Sequence, residues 1–122
     1  MSQAELQPAI PQLPSGDLDK TERFFVDHLG FEVISKLPEH KFLGVKRGVT
    51  EIHFWLTPDE AHARRIGSES SCYIRVQNIQ PLFEEFRRRA APFRYELARM
   101  PWGMNEMQID DPFGNAIRFG EP

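Results

Sequence analysis

The chain runs through one succession of patterns twice: an extended segment, an amphipathic helix and three further extended segments, with a polar interval between the copies. In the first copy, residues 8–13 (PAIPQL) read as a short strand. Its prolines suit a sheet edge, or a strand passed to another chain, better than a central ladder position. Asp17 can cap the helix that follows. Leu18, Thr21, Phe24, Phe25, His28 and Leu29 recur at three- and four-residue spacing, and Gly30 stands where a left-handed C-cap belongs. Extended segments are predicted at 32–37, 42–47 and 50–56, the last two forming a hairpin through Arg47-Gly48.

Residues 57–70 (TPDEAHARRIGSES) are polar and read as a linker with a short helical turn at most. The pattern then restarts with a strand at 71–76 and a helix opening at Asn78 with Pro81 in its first turn. Ile79, Leu82, Phe83, Phe86 and Ala90 form the apolar stripe of that helix. Strands are predicted at 94–98, 104–109 and 116–119, the last preceded by the turn Asp111-Pro112-Phe113-Gly114-Asn115. These patterns predict an α+β fold: two βαβββ modules, at about 7–56 and 71–120, within a single domain spanning 1–122. One helix covers one face of each sheet, so the opposite faces are free to curl into a shared cup with the helices outside. The proline-bearing first strand fits an exchanged, two-fold homodimer.

A chain of 122 residues with 40% hydrophobic content supports one domain with a real core. Ten Phe, two Trp and two Tyr exceed what a minimal core needs, and surplus aromatics tend to line ligand sites or interfaces. The net charge of -3 gives no pull toward nucleic acid or anionic membrane, and a mildly acidic surface tolerates cationic ligands. The one basic run, Arg87-Arg88-Arg89, follows Glu84-Glu85 on a helix, where i to i+4 pairing explains it. The lone Cys72, with no leader-like or membrane-spanning stretch, leads to the expectation of a cytoplasmic protein.

Leu13-Pro14-Ser15-Gly16-Asp17, then Phe24-Phe25 and Leu29-Gly30-Phe31, resemble the opening module of the vicinal oxygen chelate superfamily. Arg75-Val76 before a helix and the Asp111–Asn115 turn before a closing strand resemble its later signature. Within that superfamily, Pro101-Trp102-Gly103 and Phe42-Leu43-Gly44-Val45 are most similar to the glyoxalase/bleomycin-resistance family, on its drug-binding side. The resemblance implies a groove between two subunits in which aromatic rings stack on a flat ligand and acids meet its cationic tail. Phe42 and Trp102 are the implied stacking rings. Phe42 equally suits the core, whereas Trp102 in a loop has less structural reason to be there. Catalytic members hold a divalent metal at positions that correspond here to Ile10, Ser71 and Arg118, none a credible ligand. No metal, cofactor or catalytic residue is therefore expected.

Alternation along 50–56 sends Ile52, Phe54 and Leu56 to the core and Glu51, His53 and Trp55 to the cup. Met107 and Ile109 likewise go inward, and Glu106 and Gln108 to the cup. Glu51 and Glu106 could accept hydrogen bonds from a cationic ligand. His53 reads as a hydrogen-bonded wall residue or, less simply, a base. Trp55 departs from the family, where a small polar residue is expected, and implies a narrower groove. The reading that follows is a binding protein that sequesters a bleomycin-type molecule. The alternatives are a glyoxalase-like lyase or dioxygenase with an atypical metal site, or a module that binds some other small molecule or partner.

Overall fold

The computed structural model describes residues 2–122. The first module consists of β1 (Gln12–Ser15), α1 (Leu18–Leu29), β2 (Glu32–Leu37), β3 (Phe42–Arg47) and β4 (Thr50–Leu56), with a 3-10 turn at Pro38–His40. After α2 (Glu60–Gly67), the second follows as β5 (Ser71–Arg75), α3 (Ile79–Arg88), β6 (Phe93–Arg99), β7 (Asn105–Asp110) and β8 (Ala116–Glu121). Each module makes a four-stranded mixed sheet, in the orders β1-β4-β3-β2 and β5-β8-β7-β6. In each, the first strand runs parallel to the last and the other pairs are antiparallel. The two βαβββ modules expected from the sequence are thus present, each as a four-stranded sheet of its own.

Local chemistry sets most element ends. The Asp17 carboxylate accepts from the Lys20 amide and starts α1, and Gly30, at φ 70°, ends it in the left-handed conformation. The hairpin pairs Arg47 with Thr50, so its loop is Gly48-Val49, one residue later than expected, with Gly48 at φ 59°. Leu18, Phe24, Phe25 and Leu29 from α1 meet Leu43, Val45, Ile52 and Phe54 in a buried cluster. That cluster continues through Ile79 and Phe86 of α3 to Met107, Ile109, Ile117 and Phe119, so both modules share one core on their helix-bearing faces.

Three expectations need correction. The first strand begins at Gln12, not residue 8, and residues 2–11 lie outside any strand. Pro8 and Pro11 have no amide hydrogen to give a ladder, and Pro11 takes part only by accepting from the His53 amide. The presumed linker holds an eight-residue helix, α2, capped by Asp59 and docked through buried Ala63 and Gly67. Ala90 is not on the stripe of α3: it is exposed at φ 56°, beyond the helix end, and Ala91 takes the buried place. Helix α3 opens after Asn78 as expected, its first amides satisfied by the Glu121 carboxylate, which accepts from Asn78 and Ile79. In the basic run, Arg89 pairs with Glu85 four residues back at 2.8 Å, as expected.

Candidate functional site

With the shared core on one face of each sheet, the opposite faces carry the candidate site. The six sequence-derived residues divide between them. Phe42, Glu51, His53 and Trp55 stand on β3 and β4 of the first sheet, and Trp102 and Glu106 belong to the β6–β7 turn and β7 of the second. Among the described residues, no hydrogen bond or ring contact joins the two groups.

The alternation along β4 is as expected: Ile52 and Phe54 are buried, and Glu51, His53 and Trp55 point the other way. Phe42 pairs with Trp55 across the ladder and meets the His53 ring edge-on at 4.9 Å, so it lies on the outer face and not in the core. His53 Nε2 is 2.6 Å from Glu51 Oε2. With the hydrogen on Nε2, Nδ1 remains as an acceptor. Trp55 is 43% exposed and Ile34, also on this sheet, 48%, which leaves an apolar strip that none of the described residues covers.

The second face is built around Glu106, only 2% exposed. Its Oε1 accepts from the Tyr73 hydroxyl at 2.9 Å and from Trp102 Nε1 at 3.1 Å, and its Oε2 accepts from the Tyr95 hydroxyl. Burial pushes this carboxyl up. The hydrogen bonds from Tyr95, Trp102 and Tyr73, with the charge of Arg118, outweigh that and leave it below the usual carboxylate range. Burial and the neighbouring carboxylate push Tyr95 up to about 12, and raise Tyr73 as well, so both phenols stay protonated donors. Glu106 does face outward, and both of its oxygens already accept from these donors.

Backbone geometry explains how Trp102 is presented. The Gly103 amide donates to the Met100 oxygen at 3.0 Å, which closes a turn with Pro101 and Trp102 at its centre. Proline fixes φ at the first central position, and Gly103 takes φ 87°. The indole is 64% exposed and yet tethered at its nitrogen. Tyr73 and Tyr95 were missed in the sequence reading. Alternation from Cys72 and Ile74 would have placed Tyr73 outward, but nothing local brings Tyr95 to Glu106.

The positions at which relatives would hold a metal do not fit one. Ile10 lies 39% exposed ahead of β1, Ser71 is exposed on β5, and Arg118 donates to Gln108 Oε1 at 2.9 Å. Among the described residues, no three His, Cys, Asp or Glu side chains gather in one chain so as to hold an ion. No helix among them is long and apolar enough to cross a membrane.

Paired βαβββ modules that share a core and turn aromatic, acid-bearing faces outward define a class of two-module α+β proteins. The chain belongs to the glyoxalase/bleomycin resistance protein/dioxygenase superfamily, whose profile matches residues 7–119. It is 29% identical to the bleomycin resistance protein of Geobacillus stearothermophilus over 125 residues, covering 91% of this chain and 93% of that one. The bleomycin-binding protein from bleomycin-producing Streptomyces verticillus, solved with copper(II)-bleomycin, superposes with a TM-score of 0.78 at 28% identity, covering 96% of this chain and 97% of that one. A bleomycin-binding protein solved with bleomycin superposes at 0.80 and 21% identity, covering 96% and 99%, and shows the same fold.

Proposed function

We propose that this protein binds a flat, cationic molecule of the bleomycin type in a groove between two copies of the chain, and confers resistance by stoichiometric capture without altering the ligand. One observation carries the reading: Trp102 is exposed enough to stack on a ligand and is held in place by Glu106 before any ligand arrives. Rigid aromatic surface supplies contact at low entropic cost, and stacking adds about 0.5–1.5 kcal/mol beyond burial. The division of Phe42, Glu51, His53 and Trp55 from Trp102 and Glu106 supports a homodimer. One wall comes from each copy, because a single chain offers only unpaired half-walls.

Glu51 and the Nδ1 of His53 supply acceptors for the cationic portion, and Trp55 narrows the groove. Relatives named for bleomycin resistance support the ligand class. The formal charge of -3 fits a small cationic partner better than nucleic acid or an anionic membrane. The half-buried free Cys72 suits a cytoplasmic setting.

Titrating the protein with metal-free bleomycin, with Trp fluorescence as the signal, should give saturation at micromolar ligand, and its absence would count heavily against the proposal. Light scattering should return twice the 14.2 kDa chain mass. A stoichiometric divalent metal retained through dialysis would instead favour the lyase or dioxygenase alternative.

A further inference from the structure

The Glu106 network has a property that a ligand-binding carboxylate would not need. Three donors from three separate elements, Tyr73 on β5, Tyr95 on β6 and Trp102 in the β6–β7 turn, converge on one buried acid. The strand opposite is shaped to allow it. Gly120 is the cross-strand partner of Glu106, and a Cβ there would lie 1.9 Å from the Tyr73 hydroxyl oxygen. A side chain at 120 would therefore push the Tyr73 hydroxyl away from the carboxylate. On the same face Arg118 is turned aside by its bond to Gln108, which leaves the aromatic donors, not the guanidinium, on the Glu106 oxygens.

We infer that Glu106 is a positioning residue, which fixes Tyr73, Tyr95 and Trp102 as a preformed aromatic bracket and makes no direct contact with ligand. Immobilising a rotamer-rich side chain costs binding free energy when it happens at the moment of association. A bracket locked in the free protein has met that cost on folding. Phenols that donate to a carboxylate also hold its charge behind the rings, so a cationic ligand meets aromatic surface and not an exposed acid. The consequence for affinity rests on the drug-binding reading above, whereas the locking itself does not.

The test separates the two. In a Trp55→Phe background, Trp102 is the sole indole, and its time-resolved anisotropy in the free protein reports ring mobility directly. The parent should show only slow, whole-molecule decay. Glu106→Ala and Gly120→Ala should add a sub-nanosecond component. Glu106→Gln, which keeps the shape and one acceptor oxygen, should add a smaller one and guards against a variant that does not fold. Metal-free bleomycin should bind Glu106→Ala about ten- to a hundredfold more weakly than the parent, as expected for two or three rings ordered on binding. Unchanged anisotropy in folded Glu106→Ala or Glu106→Gln overturns the inference. A mobile Trp102 in these variants supports it even where the parent binds no bleomycin, a result that would sink only the drug-binding reading.

Discussion

The Asn115 side chain donates from Nδ2 to the backbone oxygen of Pro14, 2.9 Å away and 101 residues apart in sequence. The same nitrogen donates to Asp111 Oδ2 at 2.8 Å, and Asp111 Oδ1 accepts from the amides of Phe113 and Asn115. The turn before β8 is thereby fastened to the edge strand of the other module. Replacing Asn115 by Ala strands the buried Pro14 oxygen and one Asp111 oxygen, so Asn115→Ala should lower unfolding free energy by about 2–4 kcal/mol. Denaturant melting measures it, and a loss below about 1 kcal/mol would show the bridge to be incidental.

Asp111 also makes stability depend on pH. Burial pushes its carboxyl up to about 6 from an ordinary 3.8. The folded state therefore holds this proton more tightly than the unfolded chain does. Its favourable contribution is complete below about pH 4 and is lost as pH rises through 6. Glu85 acts in the opposite sense: the hydrogen bond from Arg47 holds it low, so its contribution is present at neutral pH and is lost in acid. In Asp111→Asn the first effect disappears. Between pH 7.5 and 5 the wild type should gain about 1.4 kcal/mol on this variant, by the 1.36 kcal/mol carried by each pKa unit. Parallel stability profiles would contradict the assignment.

Two glycines should respond differently to alanine. At Gly67 in α2 a Cβ would lie 2.1 Å from the Phe113 backbone oxygen, and backbone cannot easily give way. Gly67→Ala should cost about 3 kcal/mol, the upper end for overpacking. At Gly48 nothing lies within 4 Å, but φ is 59°. Gly48→Ala should cost only about 1 kcal/mol, from backbone conformation alone. Thermal melts of both variants give the comparison, and equal losses would mean that α2 does not dock as described.

Trp102→Ala separates binding from stability. The ring is mostly exposed and lies outside the buried core, so unfolding free energy should change by no more than about 0.5 kcal/mol. Calorimetric affinity for metal-free bleomycin should fall about ten- to a hundredfold, as for an aromatic anchor at a binding hot spot. Wild-type affinity in this variant would remove Trp102 from the ligand wall.

What could be seen in the residues alone was what depends on neighbours in sequence. The spacing of Leu18, Phe24, Phe25 and Leu29 between Asp17 and Gly30 specifies α1 with both ends, because caps and a 3.6-residue stripe are local. Alternation along 50–56 and 104–109 separates core from outer face for the same reason, and it placed Phe54 and Met107 inward and His53 and Trp55 outward.

Only the tertiary structure decided which distant groups meet. Helix α2 comes from a stretch whose buried residues are small, Ala63 and Gly67, and it is stable because β1 and Phe113 lie against it. Glu121 caps α3 from the far end of the module, and Tyr73, Tyr95 and Trp102 reach Glu106 through strand order and register. The periodicity of a strand tells which way its side chains turn. Whether an outward carboxylate stays open to solvent or is enclosed by three donors is set by what the neighbouring strands bring beside it.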